Sequence, residues 1–366
     1  MVRILLLPVS LVWGGILAVR NFLYDIGILP SQSFSLPVIN VGNLNFGGSG
    51  KTPHIEYLIR LLKEHYQIAT LSRGYGRRTS GFILVQSEDA TTKVGDEPKQ
   101  YKVKFSGITV AVDENRRRGI QKLIEQNLAE VILLDDAFQH RRVKPGLNIL
   151  LTPYQHLFID DFIAPTGNLR EPKSAYKRAD IIIVTKVPPF FSPLEKRVII
   201  DKLNPQPYQS VYFSSYEYGD VVSLKSLQKQ KTQSIPKEFY FERNFHILLV
   251  TGIASSSELV YYIKNQAKKV SHLKFSDHHQ YTSHDIKKIK SEFNKIQSDN
   301  KIILTTEKDA MRFLHPSIFE QVKELPLFYL PIEVKFHNKD EELFNRQILD
   351  YVRNDKIDSA VFKRKN

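Results

Sequence analysis

The chain has 366 residues, 42% of them hydrophobic, which is room for two soluble domains with cores of ordinary size. It contains no cysteine, which rules out a disulfide framework, a thiolate metal site and a cysteine nucleophile and leaves histidines and carboxylates to carry any chemistry. A formal net charge of +13 points to an anionic partner: a nucleotide, a nucleic acid, a phosphorylated substrate or an anionic membrane surface.

From Ile4 to Val19 sixteen residues run without a charge, bracketed by Arg3 and Arg20. The run is shorter than the roughly 20 residues that span a bilayer, and it carries Pro8 and the Gly14-Gly15 pair. Residues 1–30 are therefore expected to form a helix lying on a membrane face, with a buried core helix as the competing reading. Ala18 has no small partner two residues away, which argues against a cleaved secretory signal.

The apolar run Pro37 to Val41 then leads into Asn45-Phe46-Gly47-Gly48-Ser49-Gly50-Lys51-Thr52-Pro53. A strand, a glycine-rich turn and a helix in that order describe a phosphate-binding loop. The glycines let successive backbone N–H groups curl around an anion, Lys51 adds a point charge, and the Thr52 hydroxyl suits Mg²⁺. Asn45 stands where the usual GxxxxGK[ST] pattern has glycine. The setting supports the assignment nonetheless: Pro53 fits a first helical turn, and Ile55, Leu58, Ile59 and Leu62 follow at helical spacing.

Further β-branched runs lie at Ile68 to Leu71, Ile108 to Val112, Val131 to Leu134, Ile149 to Leu151 and Ile181 to Val184, with helical spacers such as Arg116 to Leu128 between them. This alternation predicts an α/β fold, a P-loop NTPase-like parallel sheet flanked by helices, over residues 31–205. From Phe190 to about Tyr240 the pattern weakens into prolines and a polar stretch, Lys225 to Lys237, and residues 206–240 are expected to be a linker. A smaller C-terminal α/β domain, 241–366, is expected from Ile247 to Val250 and Ile302 to Leu304.

Several charged constellations sit on this frame. Asp135 and Asp136 end the strand Val131 to Leu134, where an aspartate beside a phosphate loop can hold Mg²⁺ and a second can orient an acceptor. Asp96-Glu97 follows Gly95 and could supply a base for a hydroxyl; Asp277-His278-His279 could supply a proton acceptor tuned near neutral pH. The segment Ser72 to Arg78, with three arginines and Tyr75, suits an anionic sugar or phosphate, and Arg170-Glu171 adds another charged loop.

Taken together, NxxxGGSGKTP, SRGYGR, GDE, DDAFQH, GNLREP, VTGI, FxDHH and TTEKDAMR occur in that order over most of the chain. This series resembles the tetraacyldisaccharide 4′-kinase family of lipid A biosynthesis. The resemblance implies ATP-dependent phosphorylation, with Mg²⁺, of the 4′-hydroxyl of a tetraacylated glucosamine disaccharide 1-phosphate at the cytoplasmic face of the bacterial inner membrane. It implies that Asn45 through Thr52 bind ATP, with Lys51 also catalytic, and that Thr52, Asp135, Asp136, Gln139 and Glu171 serve the metal, Asp136 also the acceptor. It implies an acid-base pair of Asp96 and His278, with His279 as a rival for the histidine, and substrate contacts at Tyr75, Arg116 and Arg170. The implied partners are the lipid substrate and the membrane surface, with no nucleic acid and no obligate protein partner. Because His278 and the phosphate loop fall in different units, closure of the two is expected to assemble the site.

The main rival is a membrane-associated P-loop ATPase of cargo or partitioning type, which uses loops of the form KGGxGK[ST]. Phe46 occupies the signature lysine position and argues against it. A guanine-reading reading of Thr306-Glu307-Lys308-Asp309 is weak because NKxD would need asparagine first.

Overall fold

Short β-branched runs alternating with amphipathic helices build two largely parallel sheets. The computed structural model describes residues 2–228 and 233–364. The strands in the first half are β1 (Val38–Asn43), β2 (Ile68–Ser72), β3 (Ile83–Leu84), β4 (Thr109–Val112), β5 (Val131–Asp135), β6 (Leu147–Pro153) and β7 (Ile181–Thr185). After them come β8 (Ser210–Tyr218), β9 (Val221–Ser223), β10 (Ser234–Ile235), β11 (His246–Thr251), β12 (Lys269–Lys274), β13 (Lys301–Thr306), β14 (Leu327–Leu330) and β15 (Ile332–Phe336).

The first sheet has the order β15-β8-β7-β6-β1-β5-β2-β4-β3, parallel throughout except for the edge strands β15 and β3. Its central strands β1, β2, β5 and β7 are buried along their whole length, which is why they read as unbroken apolar runs and not as alternating ones. The helix Lys51–Leu62 lays Ile55, Leu58, Ile59 and Leu62 on one face of the sheet. The helix Arg116–Glu125 packs Ile120 and Leu123 on the other, its first turn capped by the Asn115 side chain. From β1 the chain runs to β2 on one side and later crosses to β6 on the other, so β1 and β5 end at a switch point where a crevice opens.

Residues 206–240 are not a linker. β8 pairs in parallel with β7 and antiparallel with β15, so it belongs to the first sheet, while β9 and β10 edge the second, whose order is β10-β9-β14-β13-β11-β12. β8 is fully buried only at Tyr212 to Ser214, and its serines, tyrosines and exposed Glu217 break the apolar pattern that marks the buried strands. The expected C-terminal unit is divided in the same way. β15 returns to the first sheet, and the helix Asp340–Arg364 places Phe344, Ile348 and Val352 in the core that holds Ile39 and Ile59. The two sheets are thus joined by two crossings, tied together where Gly219 N–H donates to Pro331 O at 2.9 Å.

The N-terminal run forms the helix Leu7–Asp25. The stripe it turns toward the protein is small or polar except for Leu17, with Ser10, Gly14 and Asn21 beside it, whereas Leu11, Val12, Trp13, Ile16, Val19 and Phe22 are exposed. Ser10 Oγ donates to Thr166 Oγ1 at 2.8 Å, Asn21 Nδ2 donates to Glu171 Oε2 at 3.0 Å, and a Cβ at Gly14 would lie 2.8 Å from Ile163 Cδ1. A buried core helix would have the opposite polarity, so that reading is set aside. The helix is long and apolar enough to cross a membrane by length and composition.

Candidate active site

The phosphate loop leaves β1 and turns through Gly47 and Gly50, at φ 115° and 89°, a region that L side chains rarely occupy. Gly50 caps the helix Lys51–Leu62, and there is no room for more than a hydrogen: a Cβ would sit 1.5 Å from the Tyr216 hydroxyl. Lys51 Nζ donates to Asn43 Oδ1 at 3.1 Å and lies 3.6 Å from Asp136 Oδ2. Burial pulls the Lys51 pKa down against the pull of Asp136. Ser49 Oγ is buried without a hydrogen-bond partner among the described residues, as a donor waiting for a phosphate oxygen is.

At the end of β5, Asp135 accepts a hydrogen bond from Tyr101 Oη at 3.0 Å. Burial, then Glu97 and Asp136, push Asp135 up to about 6. Asp136 takes a left-handed backbone, φ 52°, and both of its oxygens accept from Arg170 Nη1, at 2.9 and 3.0 Å. Burial works against ionisation of Asp136, but Lys51 and Arg170 outweigh it and hold the group below the usual carboxylate range. Gln139 Nε2 donates to Asn43 O at 2.9 Å, which brings its amide to the same crevice. Among the described residues no group of three His, Asp or Glu side chains is placed to hold a metal alone. The oxygen set of Thr52, Asp135, Asp136 and Gln139 suits Mg²⁺, which characteristically shares its ligands with substrate phosphates, and a divalent ion would offset the burial and the neighbouring carboxylates that disfavour the charge on Asp135.

A second cluster lies at the start of the helix Asp96–Lys104. His278 Nδ1 is 3.1 Å from Asp96 Oδ2, and Arg312 donates to that same oxygen from Nη2 at 2.5 Å and Nε at 3.1 Å. Lys308 Nζ donates to Glu97 Oε1 at 2.6 Å. Burial opposes the charge on Asp96, yet the His278 and Arg312 hydrogen bonds bring it to about 2; the bond to Asp96 in turn raises His278. His278 itself has φ 53°, an uncommon backbone for histidine that aims its ring across the gap between the two sheets. His279 turns elsewhere: its ring stacks on Phe275 at 4.7 Å, and Nε2 lies 3.0 Å from Asp285 Oδ2, in the capping box of the helix Ser283–Lys295. Only His278 meets Asp96.

A phosphate loop, an adjoining acidic strand end and a carboxylate-histidine pair across the cleft form the geometry of a phosphotransferase. The family model for Tetraacyldisaccharide-1-P 4'-kinase matches residues 2–353. The chain belongs to this family. It is 44% identical over 366 residues to the Tetraacyldisaccharide 4'-kinase of Bacteroides thetaiotaomicron, covering 99% of this chain and 96% of that one. It is 45% identical over 368 residues to the protein of the same name from Bacteroides fragilis, with the same coverage of both chains. Among solved structures it resembles "apo" form LpxK from Aquifex aeolicus in complex with ATP, with 28% identity and a TM-score of 0.75, covering 96% of this chain and all of that one. Family membership decides for the kinase and against a cargo or partitioning ATPase.

Within this kinase fold, Lys51, Asp135, Asp136, Gln139 and Arg170 gather around the phosphate loop, and Asp96 and His278 form the second cluster. Tyr75 joins the latter: its ring is 68% exposed and 5.3 Å from that of His278. Five expected residues already have protein partners in this structure. Arg116, expected on the sugar, is only 2% exposed; its guanidinium donates to Asp113 O at 2.6 Å and lies 3.5 Å from Asp135 O, a buried counter-charge behind the aspartates. Glu171, expected at the metal, is paired through Oε2 with Arg178 at 2.7 Å and with Asn21, while its Oε1 is buried without a hydrogen-bond partner among the described residues. Asn45 and Phe46, expected on ATP, brace the loop from outside: Asn45 Nδ2 donates to Asp161 at 3.1 Å, and Phe46 lies under the Arg170 guanidinium at 5.3 Å. Arg170, expected on substrate, is engaged with Asp136. The sequence motif TTEKDAMR contains Lys308 and Arg312 but assigns neither of them a role at the site. Their i, i+4 spacing within TTEKDAMR, which aims two cations from one helix face, is the signal that could have found them.

Proposed function

We propose that this chain transfers the γ-phosphoryl group of ATP to the 4′-hydroxyl of a tetraacylated glucosamine disaccharide 1-phosphate, with Asp96 as the group that receives the hydroxyl proton. The observation that carries this reading is the contact of Asp96 with His278 and Arg312 across the cleft from the phosphate loop. The acceptor oxygen forms its bond to the γ-phosphorus as the bond to the ADP oxygen breaks, and the proton leaves the acceptor for the Asp96 carboxylate. A carboxylate held at about 2 is fully ionised at neutral pH, so it orients the hydroxyl from the start and takes the proton late, as the new P–O bond acidifies it. His278, its charge favoured by the same bond, keeps Asp96 ionised and oriented.

On the other side, Lys51 and the backbone N–H groups of the loop hold the phosphates, and Thr52, Asp135, Asp136 and Gln139 would hold Mg²⁺. When bound, Mg²⁺ neutralises charge on the β- and γ-phosphate oxygens. Arg170 keeps Asp136 aimed at the crevice. The exposed apolar face of the N-terminal helix supports attachment to the cytoplasmic face of the inner membrane, where a lipid acceptor resides. That helix reaches the site itself: Arg20 Nη2 donates to Gln139 O at 3.0 Å.

The test is ATP consumption with and without lipid acceptor, for the parent and for Asp96→Asn. The expected result is lipid-dependent turnover in the parent, a loss on the order of 10²- to 10⁴-fold in the variant, and nucleotide binding intact in both. Full turnover by Asp96→Asn would remove the proposed base.

A further inference from the structure

The helix Asp96–Lys104 carries more than the proposed base. Its first turn meets Arg312 and Lys308 through Asp96 and Glu97, and Tyr101 meets Asp135. Gln100 Nε2 donates to Glu56 Oε1, on the phosphate-loop helix, at 2.8 Å. At the last turn Lys104 Nζ lies 2.6 Å from Glu56 Oε2 and 2.6 Å from Glu307 Oε1. Glu307 opens the helix Glu307–Phe313, the one that also carries Lys308 and Arg312. A single ammonium therefore fastens three helices: the one behind the phosphate loop, the one bearing the base, and the one that grips the base from the second sheet.

We propose that Lys104 is a positioning residue for phosphoryl transfer, bridging Glu56 and Glu307 so that the phosphate loop and the Asp96–Arg312 cluster keep a fixed register. This rests on the kinase reading above and adds to it a residue that touches neither reactant. A buried ion triad gains little stability over apolar packing of the same volume; what it adds is a specific alignment, because only one placement of the three helices satisfies all the charges. The surroundings enforce this. Both carboxylates are buried, and apart from Lys104 the cation beside them is Arg60, 3.7 Å from Glu56 and partly exposed. Ile332 N–H donates to Glu307 Oε2 at 3.2 Å, and the buried phenols Tyr101 and Tyr329 complete the titratable groups facing the triad. Burial pushes Glu307 up to about 7, with Lys104 opposing and Glu56 reinforcing the rise. The bridge is therefore complete above neutrality and weakens as Glu307 takes up a proton below it.

The experiment compares full-length parent, Lys104→Met, Lys104→Arg and Glu307→Gln, measuring kcat for lipid phosphorylation, ATP affinity by calorimetry, and the pH profile of kcat. Expected for Lys104→Met is a fall in kcat on the order of 10- to 100-fold with ATP affinity within about twofold of the parent, as for a misplaced but intact site. Lys104→Arg restores most of the loss. In Glu307→Gln the part of the rise of kcat that Glu307 supplies near pH 7 is lost, while the titration of Asp135 near 6 remains. Parental kcat in Lys104→Met overturns the proposal, as does a loss of ATP affinity in step with kcat that Lys104→Arg fails to rescue. Should Lys104→Met not fold, Glu307→Gln decides, and a pH profile superimposable on the parent's overturns the proposal. A parent that never phosphorylates the lipid overturns the kinase reading itself, an outcome distinct from any ratio between variants.

Discussion

Asp96 Oδ2 and His278 Nδ1 lie 3.1 Å apart although 182 residues separate them in the chain. The contact crosses from the first sheet to the second, and it is already made in this structure, together with the Arg312 clasp on the same carboxylate.

The pair has a pH signature. His278 is raised above its ordinary value, chiefly by its bond to Asp96, so its contribution to stability is full below about 6.5 and is lost as pH rises through its folded-state value. Asp96 is depressed to about 2, so its contribution is present above the ordinary aspartate range and is lost only as pH falls toward 2. The melting temperature of the parent minus that of His278→Ala is expected to be largest near pH 6 and to shrink toward pH 9, measured by thermal denaturation at fixed ionic strength. A difference that grows with pH contradicts the assignment.

Gly50 offers a paired test. Gly50→Ala meets both a left-handed backbone and the Tyr216 hydroxyl, and is expected to cost about 1–3 kcal/mol and to weaken nucleotide binding. Tyr216→Phe removes the nearest clashing atom, so the double variant is expected to recover part of the loss and to retain the backbone cost. Urea denaturation of the four proteins measures the coupling, and strict additivity is the contrary result.

Trp13 is the sole tryptophan of the chain and stands on the exposed face of the N-terminal helix. Its emission is expected to shift to the blue when vesicles of anionic phospholipid are added, and Ile16→Glu on the same face is expected to reduce the shift. Unchanged emission at saturating lipid counts against membrane attachment through this face.

Mg²⁺ binding is expected to weaken in acid. Asp135, pushed up to about 6 by burial, Glu97 and Asp136, must lose its proton before it can serve a cation, so apparent Mg²⁺ affinity in the presence of ATP falls as pH drops below that value. Magnesium titrations followed by calorimetry between about pH 5 and 8 measure it. Removal of Mg²⁺ by chelation is expected to stop transfer while leaving the fold unchanged.

The phosphate loop, the buried strands and the Asp135-Asp136 turn were legible because local order suffices for them: an unbroken apolar run, a glycine turn and an amphipathic helix are all adjacent in sequence. β8 was not, since a strand whose serines, tyrosines and Glu217 interrupt its apolar residues has no such run, and its partner β15 lies more than a hundred residues away. Arg116 shows a different limit. It is a charged residue in a fitting motif, and only the three-dimensional neighbourhood reveals that its guanidinium is buried behind the aspartates. The choice between His278 and His279 turned on one left-handed residue, which sequence spacing cannot reveal.

The most direct test of the whole account is to incubate the purified protein with γ-labelled ATP, Mg²⁺ and a tetraacylated disaccharide 1-phosphate, and to locate the label on the product. The account predicts one labelled phosphate at the 4′ position, formed by the parent and by His279→Ala but not by Asp96→Asn. Label released only as inorganic phosphate, or transferred equally well by Asp96→Asn, would contradict it.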